Sequence, residues 1–137
     1  VIRGDLQPVV IGRYTNVQDN ATIHVMGDAP TIVGDYVTIG HNTLIHCSKI
    51  GNNCLIGMGS TLLGYTEIGE NTIIGAATLL TQHKKIPHDS LVYGNPSRII
   101  RALRDDEVEA VRASAMNYCK LARVYREERE AREHQGK

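Results

Sequence analysis

The chain has 137 residues, with 15 Lys and Arg against 15 Asp and Glu, so its formal net charge is zero. That length suits one domain with its own core, and 42% hydrophobic residues exclude a disordered chain. The neutral balance gives no support to a nucleic-acid partner. The longest charge-free run, the 17 residues from Ile50 to Thr66, is too interleaved with Gly, Asn, Ser and Thr to cross a membrane.

From the N-terminus onward the chain repeats with a period of six. The aliphatic positions are Ile11, Val17, Ile23, Val33, Ile39, Ile45, Ile50, Ile56, Leu62, Ile68, Ile74, Leu80, Ile86 and Val92. Glycine follows many of them directly, and a small or β-branched residue recurs four places later, as at Thr43, Cys54, Ser60, Thr66, Thr72 and Thr78. Two steps break the period. Ile23 to Val33 spans ten residues, and Ile45 to Ile50 spans five. This pattern is the hexapeptide repeat of a left-handed parallel β-helix. Three hexapeptides make one 18-residue coil of a triangular prism, and coils stack at about 4.8 Å. The aliphatic residue is expected inside and the small residue near the corner. Trp and Phe are absent, so the core is built from Ile, Leu, Val and small side chains.

The composition changes near Asn95-Pro96. Residues 1–96 hold 12 charges and 12 of the 13 glycines, whereas residues 97–137 hold 18 charges and one glycine. We therefore divide the chain into a β-helix over 1–96 and a C-terminal segment over 97–137. Val108, Val111, Ala115, Tyr118, Ala122 and Tyr125 form one helical stripe, and Asp105, Asp106 and Glu107 suit a helix N-terminus. An α-helix from about 105 to 133 is expected, lying on the prism or on a neighbour. The first residue is Val1 rather than Met, so an upstream segment carrying at least part of a further coil is expected. Three cysteines, Cys47, Cys54 and Cys119, form no disulfide framework, which favours a reducing, cytoplasmic setting.

The histidines fall unevenly on this repeat. His24 and His46 each follow the third aliphatic residue of a coil, and the 22 residues between them equal one coil plus the four-residue insertion. They should stack on one face, both outward, about 5 Å apart at the Cα level, where two imidazoles can share a metal. His41 begins that face at its corner. Five extended residues, roughly 16 Å, separate it from His46, so His41 reaches such a metal only from a neighbouring chain. A closed ring of three chains then holds three equivalent interface sites. Cys47 is expected to point away from His46, and His83, His88 and His134 are read as surface residues.

These residues together resemble the gamma-class carbonic anhydrases. The likeness is carried by Arg3-Gly4-Asp5, Asn16-Val17-Gln18-Asp19, His24, His41 and His46 in Gly-His-x-x-x-x-His, Ile56-Gly57-Met58-Gly59-Ser60 and Tyr93-Gly94-Asn95-Pro96-Ser97. It covers nearly the whole chain. The resemblance implies a homotrimer that hydrates CO2 reversibly to bicarbonate through a metal-bound hydroxide. His24 and His46 would come from one subunit and His41 from the next, on Zn2+, with Fe2+ or Co2+ also suited to such ligands. Arg3 and Asp5 match a pair that bridges subunits near the site. Asn16 and Gln18 match residues that hydrogen-bond around the metal's water, and Tyr118 matches a residue that the family's helix places near the metal. The chain departs from the founding type at Leu6, where an acid is found, and in the short loop from Val25 to Pro30, whose one acid is Asp28. Slow proton transfer to buffer and weak turnover are therefore expected. Two other readings stand beside this one: a hexapeptide acyltransferase using an acyl-CoA, and a non-catalytic trimeric assembly protein.

Overall fold

The computed structural model describes residues 1–46 and 48–135. The first coil is β1 (Val9–Ile11), β2 (Asn16–Val17) and β3 (Thr22–His24); the second is β4 (Thr31–Val33), β5 (Thr38–Ile39) and β6 (Leu44–His46). The third is β7 (Ser48–Ile50), β8 (Leu55–Ile56) and β9 (Thr61–Leu62); the fourth is β10 (Thr66–Ile68), β11 (Ile73–Ile74) and β12 (Leu79–Leu80). A fifth, partial coil holds β13 (Lys85–Ile86) and β14 (Ser90–Tyr93), followed by β15 (Arg98–Ala102) and α1 (Asp105–Gln135).

Every third strand pairs in parallel, which makes three sheets. The first face runs β1-β4-β7-β10-β13, the second β2-β5-β8-β11-β14 with β15 added, and the third β3-β6-β9-β12. The registers follow the repeat and absorb both of its breaks, because Ile11 pairs with Val33, Val33 with Ile50 and Glu67 with Lys85. The expected parallel β-helix of hexapeptide coils is the observed architecture.

The core is a stack of aliphatic columns. Ile23, Ile39, Ile45, Ile56, Leu62, Ile74 and Leu80 are fully enclosed. The small residues four places later are also buried and bond to nearby carbonyls. Thr43 Oγ1 donates to Gly40 O at 2.8 Å, Ser60 Oγ to Gly75 O at 3.0 Å and Cys54 Sγ to Gly69 O at 3.2 Å. Burial pushes the Cys54 thiol up to about 12, which leaves it an inert filler of its corner.

The corners share one conformation. Three residues after the inward aliphatic the backbone turns left-handed, at Tyr14, Asn20, Tyr36, Asn42, Asn53, Tyr65, Asn71, Ala77, His83 and Asp89, and at Gly59 with φ +70°. Asn and Asp tolerate this region because a short polar side chain can bond locally. Gly57 meets a different demand. A Cβ there would lie 2.5 Å from the amide nitrogen of Ala76 and 2.6 Å from the carbonyl carbon of Gly75. The close approach of successive coils excludes any side chain at that point.

The C-terminal segment begins with a strand. β15 pairs antiparallel with β14, setting Val92 against Ile99 and Tyr93 against Arg98. α1 then ascends the corner between the first two faces. Val108 O accepts from Asn53 Nδ2 at 3.2 Å, and the Arg112 guanidinium lies 4.0 Å over the Tyr36 ring. Tyr36 in turn stacks on Tyr14 at 4.9 Å. Glu107 anchors the helix start. It accepts from the Arg104 backbone at 2.9 Å and takes both Arg101 guanidinium nitrogens at 2.8 Å. The Arg101 bonds, first among the causes, hold its carboxyl down at about 2.

The helix stripe is buried only in part. Val111 and Ala115 are enclosed, yet Tyr118 is 36% exposed and Tyr125 65% exposed. Length explains the difference: 31 residues of helix extend about 46 Å, whereas five rungs of the prism span only about 20 Å. The helix outruns the surface it packs on. Beyond it, i,i+4 pairs such as Arg129–Glu133 face solvent. No helix of the described residues is long and apolar enough to cross a membrane.

Candidate metal centre

On the first two faces, the residue after the inward aliphatic is mostly glycine, as at Gly34, Gly51, Gly69, Gly40, Gly57 and Gly75. On the third face the same place holds His24, His46, Leu63 and Thr81, and all four reach the surface. β3 and β6 set His24 directly against His46. Their ring centroids lie 5.4 Å apart and their planes are inclined by 21°. The expected stack of two outward imidazoles, one rung apart, is present.

The N-terminal residues reach this pair from above. Ile2 bridges in parallel to Ile23, and the Arg3 amide donates to Ile23 O at 2.9 Å. That places Asp5 beside the pair, where its Oδ1 lies 2.8 Å from His24 Nε2. Arg3 pairs with the same carboxylate within the chain. The His24 hydrogen bond, ahead of the Arg3 charge, holds the Asp5 carboxyl below its ordinary range. A ligand at Nδ1 of His24 leaves this contact standing; a ligand at Nε2 displaces Asp5, whose side chain is 40% exposed.

His41 lies at the corner between the second and third faces, two places after Ile39. Its Nδ1 stands 3.3 Å from Asp19 Oδ2, with side chains 43% and 88% exposed. Gln18 and Asn16 share the coil above. The Gln18 amide nitrogen of the backbone donates to Ile39 O at 3.0 Å, which extends the β2–β5 pairing past Val17. Gln18 Nε2 donates to Asn16 Oδ1 at 3.3 Å, and Asn16 Nδ2 donates to Thr38 Oγ1 at 3.0 Å. This directional chain leaves the Gln18 carbonyl oxygen as an acceptor at the surface.

Two groups therefore form on one chain: Arg3, Asp5, His24 and His46 on the third face, and Asn16, Gln18, Asp19 and His41 at its leading corner. Among the described residues, no three His, Cys, Asp or Glu of one chain gather closely enough to hold a metal. Tyr118 lies on α1, and among the described residues no hydrogen bond or ring contact joins it to these histidines. The orientation expected of Cys47 lies outside the described residues. His83 and His88 are exposed as expected, though each has a neighbour: His83 stacks on Tyr65 at 5.0 Å and His88 meets Asp89 at 2.6 Å.

The donor set fits a divalent ion of the zinc, iron(II) or cobalt(II) kind. Imidazole nitrogens are ligands that such ions accept; two of these rings stand stacked here, and a third stands at a separate corner. Sequence reasoning assigned no role to Asp19. Its signal was available, because Asp19 and His41 are separated by the same 22 residues as His24 and His46.

Known proteins resemble this chain. A family described as "Bacterial transferase hexapeptide (six repeats)" matches residues 47–82. The "Probable carbonic anhydrase" of Methanocaldococcus jannaschii is 50% identical over 122 residues, covering 89% of this chain and 77% of that protein. "Gamma carbonic anhydrase 1, mitochondrial" of Arabidopsis thaliana is 38% identical over 91% of this chain, which spans 48% of that longer protein. Among solved structures, a hexapeptide transferase family protein of Anaplasma phagocytophilum superposes with a TM-score of 0.86 at 35% identity, covering 90% of this chain and 73% of the other.

Proposed function

The chain belongs to the gamma-class carbonic anhydrase family of hexapeptide-repeat proteins, and on that premise we propose that it interconverts CO2 and bicarbonate at metal sites shared between the chains of a homotrimer. The observation that carries this reading is the His24–His46 stack, with rings 5.4 Å apart on adjacent rungs. His24 and His46 of one subunit and His41 of the next hold the ion. Zinc, when bound there, supplies the Lewis acidity that brings the pKa of water to about 7.

The chain's own residues do the remaining work. Gln18 presents its carbonyl oxygen as an acceptor, locked in that sense by its bond to Asn16. Asn16 is itself fixed by Thr38, so the pair is oriented before substrate arrives. Asp5, steadied by Arg3, sets the ring plane of His24. Tyr118 is the helix residue assigned to meet substrate. Outward proton transfer rests on few acids near the site, so turnover is slow. Zinc is the preferred ion, with iron(II) or cobalt(II) as substitutes.

The test is metal content per chain, on protein purified without chelator or oxidant, followed by CO2 hydration in a stopped-flow indicator assay. About one ion per chain and a rate above buffer are expected. Fully loaded protein with a rate equal to buffer overturns the catalytic reading and leaves an assembly role. A second reading is acyl transfer from an acyl-CoA, favoured by the likeness to a hexapeptide transferase family protein. Turnover of acetyl-CoA by metal-free protein would move the assignment there.

A further inference from the structure

Both breaks in the hexapeptide period fall at one corner of the prism, where the third face turns into the first. The ten-residue step leads from β3 through residues 25–30 to β4. The five-residue step follows one coil later, where β6 ends at His46 and β7 begins at Ser48. One corner further down stands Tyr65, with φ 61°. Left-handed backbone suits the short polar residues at Asn20 and Asn42 better than a tyrosine. The Tyr65 side chain reaches partners beyond the length of an asparagine. Its ring stacks on His83, one corner below, with centroids 5.0 Å apart and planes 3° from parallel. Its hydroxyl donates to Asp28 Oδ1 at 2.6 Å. That bond spans the shortened corner and joins connections two rungs, about 10 Å, apart.

The same loop is held on its other side. The Met26 amide donates to Ala29 O at 3.2 Å, which closes the turn that carries Asp28. Gly27 O accepts Gln7 Nε2 at 3.1 Å. Gln7 belongs to the N-terminal bend that carries Asp5, and the Thr31 amide closes that bend by donating to Pro8 O at 3.2 Å. The contacts run in one line: His83 to Tyr65 to Asp28, then Gly27 to Gln7, then Asp5 to His24. A phenol on a carboxylate is a charge-assisted bond, stronger than a neutral one. We propose that residues 25–30 are a strap, buckled by Tyr65 on Asp28, that braces the N-terminal bend against the body of the prism. Opening the buckle frees strap and bend as one local unit while the lower coils stay closed. Tyr65 is a positioning residue in this scheme. It acts through Asp28, and the place of Asp5 beside His24 depends on it.

The experiment is native-state amide hydrogen exchange, read residue by residue by NMR on the full-length protein as it assembles. Tyr65→Phe, which removes the hydroxyl and keeps the ring, should speed exchange of the Met26 and Thr31 amides about 3- to 10-fold. The Leu55 and Gly57 amides, bonded to Thr72 O and Ile74 O between the third and fourth coils, should stay within about twofold of the parent. Asp28→Asn keeps an acceptor and should give a smaller rise. Asp28→Ala combined with Tyr65→Phe should exceed neither single effect, because both remove one bond. Gln7→Ala cuts the strap from the bend, so it should speed Thr31 and spare Met26. The remote Tyr125→Phe should exchange like the parent. Met26 and Thr31 rates within about twofold of the parent in Tyr65→Phe overturn the proposal. An equal rise at Leu55 and Gly57 assigns Tyr65 to overall stability and also overturns it, as does an additive double variant. A Thr31 amide unmoved by Gln7→Ala overturns the bracing of the bend.

Discussion

Replacing Ile45 by Ala tests the link between the stacked core and the histidine pair. Ile45 is fully enclosed between Ile23 and Leu62 in the third-face column, and His46 follows it on β6. The substitution removes three carbons, worth about 0.8 kcal/mol each in transfer. The rungs above and below are pinned by backbone hydrogen bonds and cannot collapse into the gap, so a cavity term adds to this. The total is about 3–4 kcal/mol, inside the range of about 2–5 kcal/mol for such truncations. For a chain of this length 1 kcal/mol is roughly 3–4 °C of melting temperature, so a fall of about 10–14 °C is expected by circular dichroism. Ile45→Val should lose about 0.5–1.5 kcal/mol. Lys49→Ala, on an outward position of the first face, should change the midpoint by less than about 2 °C. Ile86→Ala, in the last coil with a rung on one side only, should cost less stability than Ile45→Ala and leave metal content unchanged below the transition. A drop under about 3 °C for Ile45→Ala, or one matched by Lys49→Ala, would refute the inward assignment of the column.

Two other expectations follow from single sites. Gly57→Ala forces a Cβ to 2.5 Å from the Ala76 nitrogen, so coils three and four must part; a loss of about 2 kcal/mol or more is expected in urea unfolding, and a midpoint like the parent's would contradict the stacking distance. Glu107 sits near 2 when folded, against 4.5 when unfolded, because Arg101 and the Arg104 amide favour its charged form. The stability it lends is complete above about pH 4.5 and is lost as pH falls toward 2. Glu107→Gln should therefore flatten the acid limb of a pH-stability curve in that window, and an unchanged limb would count against the contact.

The prism was legible because its rule is short. One aliphatic residue in six, with glycine behind it, is enough to number every rung, and even the ten- and five-residue steps kept Ile23 against Ile45. The histidine stack followed from the same arithmetic. Other features had no such handle. β15 is exposed along its length and pairs antiparallel, outside the period. The left-handed corners are written in the positions of Asn20, Asn42, Asn53, Asn71 and Asp89, but Tyr14, Tyr36 and His83 occupy the same place and hide the rule. The helix stripe promised burial as far as Tyr125, and only the height of the prism shows where it must stop. The grip of Asp5 on His24 depends on a chain that doubles back from Ile2, which no periodicity describes.

The stacking offset also bears on how the chain reaches this state. Parallel sheets ordinarily join strands that are distant in sequence, so they assemble slowly. Here each strand meets its partner 17–22 residues on, as Val33 meets Ile50 and Ile11 meets Val33. The mean separation of paired strands is about 0.14 of the chain, nearer to mixed α/β domains than to sandwiches. Each new coil closes a loop of nearly the same size, at nearly the same entropic cost. Assembly can therefore spread outward from whichever two coils pair first, with the next rung always within short reach.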